Sequence, residues 1–270
     1  QDDFTLQAWV KTTTSSPGTH PWHGLPIVYA DIGGGTNLDF CTAVLNGKFA
    51  FNIGPSDETI VSTSSVDDGQ WHHVVATREK STGTNSVYVD GVLENTLVTT
   101  NTASLTLPDS IYIGGQSYNS KYYKGQIEEV AVWTSTISSD GVAALYNSGS
   151  PLNVLADVGD YTSSSSLQGY WKFNDQSGST AEDASTSNND GEIVGPTWVD
   201  DESDGNVFTA TLTPIAHGWV DIDVLANTFT DANSNNNTAA DQFNWFYDTT
   251  GPTMTITAAE GLDGFSSNDA

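Results

Sequence analysis

The sequence predicts an all-β protein: an antiparallel β-sandwich with one short helix, followed by a smaller all-β unit. Three observations carry this. Between Phe4 and Trp133, β-branched and aromatic residues recur at alternate positions in one run after another. Asn-Gly and Asp-Gly pairs fall between the runs, and those pairs accept the positive φ of a tight hairpin turn. A 37% hydrophobic content, with 10% aromatic, supplies enough side chain for packed cores.

The runs follow in order: FTLQAWVKT (4–12), LPIVYAD (25–31), LDFCTAVLN (38–46), KFAFNIG (48–54), WHHVVATRE (71–79), SVYVDGVL (86–93), SIYIGG (110–115) and QIEEVAVW (126–133). Hairpins are expected at LNGK (45–48) and VDGV (89–92). One stretch, SSDGVAALYNSG (138–149), reads as a helix: Ser138 or Ser139 caps it, Val142, Leu145 and Tyr146 share a face, and Gly149 stops it. Residues 151–168 form a Ser-rich connection. A strand pair then reads from GYWKFND to GPTWV, and DDESDG (200–205) is an acidic linker. Beyond it, NVFTATLTP, GWVDIDVLANTFTD and DQFNWFYDTTGPTMTITAAE give a second set of alternating runs.

The 34 acidic residues against 7 basic ones give a formal charge of −27. That charge repels phosphate backbones and anionic lipid, so nucleic acid is excluded as a partner, and cations are the natural small ones. The same acidity suits a solvated surface in a saline medium. No apolar run approaches the roughly 18 residues of a membrane span, so membrane insertion is not expected. Cys41 stands alone, which rules out an intrachain disulfide or a thiolate cluster, and its alternation with apolar residues places it in the core. Low Lys with abundant Thr, Ser, Asn and Asp resembles secreted bacterial or archaeal surface proteins. Gln1 directly precedes a strand pattern, so the sequence reads as a stretch of a longer polypeptide.

DDFTLQAWVKT, DDGQWHHVVATRE, NSVYVDGVL, IYIGGQ and GQIEEVAVWTSTISSDGVAALYNSG, in that order, resemble a laminin G-like domain of the concanavalin A-like superfamily over residues 1–150. The resemblance implies an antiparallel jelly-roll β-sandwich whose rim loops bind calcium, glycans or proteins in many relatives. Residues 206–260 resemble bacterial Ig-like repeats of large surface adhesins, with 252–270 like the opening of a further repeat. The expected organisation is therefore a jelly roll at 1–150, a connector and extra strand pair at 151–204, and an incomplete Ig-like module at 205–270. In relatives a GYWKFND…GPTWV stretch precedes the first strand of the sandwich, whereas here it follows the sandwich. It either folds back onto 1–150, the favoured reading, or completes a neighbouring copy by strand exchange. An unpaired amphipathic strand pair carrying Trp171, Phe173 and Trp198 would promote aggregation, so some sheet must take it up.

Catalysis is not expected. Glu128 and Glu129 are adjacent in a strand and should point to opposite faces, so they cannot share a cleft. The Glu-x-Asp-x-x-Glu strand of the superfamily's glucanases does not occur, and neither does a nucleophile elbow or a phosphate loop. His72 and His73 should likewise face opposite ways. HPWH (20–23) lies in a loop that could bind a transition metal or stack on a sugar.

Calcium is the expected ion, since it takes carboxylate, amide and carbonyl oxygens from irregular loops. Candidate ligands are Asp31, Asn37 and Asp39; Glu128 or Glu129, at positions resembling an acidic calcium ligand of relatives; and Asp231, Asn233 and Asn235, with Asp241 beside them. Asp183, Ser185, Ser187 and Asp190 form a further set, and Asp2 and Asp3 are the nearest substitutes for a ligand that relatives carry before the first strand. For a sugar platform the candidates are the loop aromatics Trp22, Tyr118, Tyr122 and Tyr123, while Trp9, Trp71 and Trp133 read as core. The expected function is adhesion or recognition by an extracellular module of a large surface protein, with cell-surface or extracellular glycans as partners. The alternative is a structural repeat or filament subunit completed by other copies of itself. A third reading is an accessory module of a secreted polysaccharide-degrading enzyme.

Overall fold

The structure, a computed structural model, describes residues 2–30, 39–54, 58–105, 110–116, 120–175, 177–198, 214, 216–223, 225–226, 228, 239 and 242–249. Two units separate, Gln1–Gly205 and Asn206–Ala270. In chain order the first contains strands β1 (Phe4–Lys11), β2 (Leu25–Tyr29), β3 (Phe40–Leu45), β4 (Lys48–Ile53), β5 (Glu58–Ser65), β6 (Trp71–Glu79), β7 (Thr84–Val89), β8 (Val92–Val98), β9 (Tyr112–Ile113) and β10 (Gln126–Trp133). Helix α1 (Ser139–Tyr146) and strands β11 (Leu167–Trp171), β12 (Thr180–Ala181) and β13 (Gly191–Glu192) complete it.

A six-stranded sheet, ordered β11-β10-β1-β6-β7-β8, packs on a five-stranded sheet ordered β5-β4-β3-β2-β9. Every pairing in the two sheets is antiparallel. The period of two does the sorting: Phe4, Leu6, Ala8 and Val10 of β1 enter the core between the sheets, with Val44, Phe49, Phe51, Val74, Ala76, Val87 and Val130. Phe4 meets Phe40 at 4.7 Å between ring centroids and Phe51 edge-on at 6.0 Å. Along their open side the sheets are tied by Glu94 of β8, whose carboxylate accepts from the backbone N–H groups and hydroxyls of Thr63 and Ser64 on β5.

A second core covers the outer face of the six-stranded sheet. Val75, Tyr88, Ala131 and Trp133 pack there under Val142 and Leu145 of α1, Val154 and Tyr161 of the connector, and Leu167 and Tyr170. Ser138 caps α1 by accepting from Gly141 N at 3.1 Å. The helix ends earlier than expected, at Asn147 rather than Gly149, because Asn147 itself takes the left-handed conformation (φ 46°) that Asn tolerates.

The GYW segment folds back. Strand β11 runs antiparallel to β10, with Val130 opposite Trp171, Ala131 opposite Tyr170 and Val132 opposite Gly169. Alternation makes one short strand serve both cores, since Trp171 enters the core between the sheets and Tyr170 the outer one. Gly169 leaves room for this: a Cβ there would lie 2.4 Å from the Trp171 ring. Asp183 then locks the strand, its carboxylate accepting from Tyr170 N (2.8 Å), Ser185 N (2.9 Å), Ser185 Oγ (2.9 Å) and Asn189 N (2.8 Å). Trp171 Nε1 donates to Asn189 O at 3.0 Å from the same loop.

In the second unit, the described strands β14 (Gly218–Ile222) and β15 (Phe243–Tyr247) form one antiparallel hairpin, with Trp219, Phe243 and Phe246 exposed. An Ig-like sandwich needs strands beyond this pair.

Candidate functional site

The loop after β1 turns back over the outer face of the five-stranded sheet. There Pro21–His23 form a single 3₁₀ turn packed on β3 and β4. Pro21 at the first position presets φ for the turn. The ring of His20 stacks on Trp22, with centroids 4.3 Å apart and planes 8° from parallel. His20 Nδ1 lies 3.2 Å from Thr59 Oγ1, which anchors the stack to β5.

A second segment meets this turn. The chain reverses after β9, where Gln116 N donates to Lys121 O (3.1 Å) and Gly115 bridges to Tyr122. Gln116 Nε2 donates to Trp22 O at 3.1 Å and Lys121 Nζ to His23 O at 2.7 Å, so the reversal is bonded to the turn at two points. Tyr122 is 63% exposed beside it, and Tyr112 of β9, 43% exposed, lies opposite Tyr29 on the same sheet. The result places Trp22 and the exposed Tyr122 on bonded segments with imidazole and ammonium groups alongside, while the Gln116 carboxamide is buried beneath them, which suits a flat ligand rich in hydroxyls.

Of the expected platform residues, Trp22 and Tyr122 are thus brought onto segments that touch. Tyr123 is not part of the platform: its ring packs against the core and its hydroxyl is buried, and that burial pushes its pKa up. Tyr123 follows Tyr122 directly, and adjacent residues of an extended segment face opposite ways. Tyr118 lies outside the described residues, as do Asp31, Asn37, Asp231, Asn233, Asn235 and Asp241. Sequence reading missed Tyr112, which it counted only as a strand residue; its place on a two-residue edge strand is what exposes it.

The carboxylates of β10 depart from expectation. The register with β1 passes from Gln7–Ala131 to Trp9–Glu128, which leaves an extra residue in β10, and Glu129 there has φ 51°. This is a β-bulge, and it breaks the alternation. Glu128 stands opposite Trp9, whose ring packs with His73 and Tyr146 on the outer face. Glu129 reaches the same face, where it accepts from the Tyr170 hydroxyl. The two glutamates therefore share a side, contrary to the simple strand reading. Burial, with Glu129 next to it, pushes the Tyr170 hydroxyl far above its ordinary value, and Glu128 adds to the effect.

Gln7 is 2% exposed beside this pair; its Nε2 donates to Glu129 O at 3.2 Å and its buried Oε1 has no partner. Two carboxylates and an orphan amide oxygen are the hard donors calcium takes. The Asp183 loop does not fit an ion, because the four donors named above already occupy both carboxylate oxygens. Asp39 is buried just before β3, and Asp31 and Asn37, expected beside it as ligands, lie outside the described residues. Among the described residues, no three or more His, Cys, Asp and Glu side chains gather as a metal site.

The histidine pair does split as expected. His73 is fully buried between Trp9 and Tyr146 with neither ring nitrogen bonded, and burial lowers its pKa to about 3. His72 sits between Asp90 (2.8 Å) and Asp68 (3.1 Å). The Asp90 bond raises its pKa against the opposing effect of burial.

Two antiparallel sheets packed face to face, with aromatic side chains carried on loops, define a lectin-type β-sandwich. The model of the concanavalin A-like lectin/glucanases superfamily matches residues 1–143, and the chain belongs to that superfamily. A candidate carbohydrate-binding protein of Bacteroides ovatus has a similar structure, with a TM-score of 0.50 at 16% identity over 73% of this chain and 55% of that one. This chain thus spans little more than half of that relative. A heptameric SAP-like pentraxin of Limulus polyphemus matches with TM-score 0.43 at 15% identity over 53% of this chain and 69% of its own. The CBM40 module of a Ruminococcus gnavus sialidase matches with TM-score 0.43 at 19% identity over 54% of this chain and 83% of its own. At such identities the likeness is one of fold. No described helix is long and apolar enough to cross a membrane.

Proposed function

We propose that this chain is a non-catalytic glycan-binding module of a larger extracellular surface protein, with calcium as its ion. The observation that carries the reading is the Trp22–His20 stack bonded through Gln116 and Lys121 to the segment bearing Tyr122. Pyranose rings stack on such faces while neighbouring ammonium and imidazole groups bond their hydroxyls. Membership of a lectin-type superfamily agrees with this. Calcium is assigned to Glu128, Glu129 and Gln7, on the strength of the shared face and the orphan Oε1. The 205–270 stretch is read as an incomplete Ig-like module. The test is binding of the intact chain to a panel of algal and bacterial polysaccharides, in calcium and again in chelator, with Trp22→Ala beside the wild type. Saturable binding that Trp22→Ala removes supports the reading; no binding across the panel contradicts it.

The alternative, a filament subunit completed by neighbouring chains, rested on a strand pair without a sheet. Strand β11 is paired within this chain. What still favours assembly is the hairpin of the second unit, with Trp219, Phe243 and Phe246 exposed.

A further inference from the structure

In the hairpin between β3 and β4, Asn46 and Gly47 have φ of 52° and 78°, as a type I′ turn requires. Gly47 is fixed by its surroundings as well, since a Cβ there would meet the Asp67 carboxylate at 2.6 Å. Position 46 is less constrained, because Asn, Asp and Gly all serve as the first central residue of such a turn. Only a carboxamide supplies the bonds that the turn itself does not need. Asn46 Oδ1 accepts from Gly18 N at 3.2 Å, and Nδ2 donates to Gly18 O at 2.8 Å. Asn46 N donates to Ser16 O at 3.0 Å. The side chain copies the donor and acceptor of a neighbouring strand and holds the loop by both edges of one residue.

The held residues are those that carry the platform. Ser16 Oγ donates to His23 O at 2.6 Å, and Thr19 N donates to His23 Nδ1 at 3.3 Å. A Cβ on Gly18 would lie 2.3 Å from His23 Cβ, so loop and 3₁₀ turn are packed without slack. Displacing Gly18 therefore displaces the His20–Trp22 stack.

We propose that Asn46 is a positioning residue for the ligand platform: its carboxamide sets the place of Trp22 through Gly18, and with it the affinity for glycan. This rests on the glycan reading of the same site. Asn46→Asp keeps a turn-competent residue but replaces the donor facing Gly18 O with an acceptor; Asn46→Gly keeps the turn and removes both bonds.

The experiment has two arms. In the first, acrylamide quenching of the Trp22 emission is taken as the difference between each protein and its Trp22→Phe counterpart, with melting temperature measured on the same samples. In the second, the polysaccharide panel is titrated with each protein. Both variants are expected to raise the quenching of Trp22 about twofold and to weaken binding about tenfold, the scale of one or two lost hydrogen bonds. Melting should stay within a few degrees of wild type. Unchanged quenching in both variants overturns the proposal, as does a loss of affinity that only tracks a general fall in melting temperature. If the wild type binds nothing on the panel, the glycan reading fails, while the quenching arm still decides whether Asn46 places Trp22.

Discussion

Glu128 and Glu129 are neighbours in the chain, yet both reach the same face of the six-stranded sheet, because Glu129 occupies a β-bulge with φ 51°. A non-glycine residue held in the left-handed region costs of order 1–3 kcal/mol, so the surrounding contacts must over-determine it. Glu129 O and N are bonded to Gln7 and Lys172, and its carboxylate to Tyr170.

If this pair holds calcium, added calcium should raise the melting temperature of the wild type. The Glu128→Gln, Glu129→Gln double variant should lose that rise. Saturation at a hundred times Kd corresponds to about 2.7 kcal/mol, which a thermal melt resolves. A wild type whose melting ignores both calcium and chelator would contradict the assignment.

Glu94 should be the acid-sensitive tie between the sheets. Burial opposes its charge, but hydrogen bonds from Ser64 and Thr63 prevail and bring its pKa down to about 2. A lowered folded pKa contributes stability above the unfolded value of roughly 4.3, and that contribution is lost as pH falls toward 2. Glu94→Gln should cost about 1–2 kcal/mol at neutral pH. Urea melts from pH 5 to pH 3 should show the gap to wild type narrowing.

Adjacent histidines should give opposite pH dependences. His73 takes a proton near 6.5 when unfolded but only near 3 when folded. Its effect is therefore a loss of stability as pH drops below 6.5. His72, raised by Asp90 and Asp68, contributes stability that is complete below 6.5 and lost as pH rises through its folded value. Urea melts of His73→Leu should lose part of the acid slope, and those of His72→Gln part of the alkaline one.

Asp183→Ala should detach the fold-back segment. The change leaves the Tyr170, Ser185 and Asn189 N–H groups without their acceptor. About 3 kcal/mol of destabilisation is expected, because hydrogen bonds to a charged group are individually stronger than neutral ones. Limited proteolysis should then cut near Thr180–Asp190 first, while the β1–β10 sandwich persists.

Much of the fold was legible because burial follows the period of two. The inward residues of β1, the LNGK and VDGV turns, and the Ser138 cap all rest on local chemistry that sequence displays. Strand β5 was missed: ETIVSTSS is rich in Ser and Thr, and it forms an edge whose polar side chains bond across to Glu94 and Phe49. The platform was half legible. Trp22 and Tyr122 sit in loop-like stretches, but which of two consecutive tyrosines faces the core depends on the register of a short reversal. The bulge at Glu129 left no mark at all, since it arises from pairing with β1 and β11 rather than from the strand's own composition.

The most direct test is isothermal titration of the intact chain with the polysaccharide that gives the strongest signal on the panel, in calcium, comparing wild type with Trp22→Ala. Saturable binding by the wild type that falls about tenfold in Trp22→Ala, with melting unchanged, is the expected result, since a stacked aromatic contributes up to about 1.5 kcal/mol and a factor of ten corresponds to about 1.4 kcal/mol. Equal affinity in the two proteins would contradict the placement of the ligand on this platform.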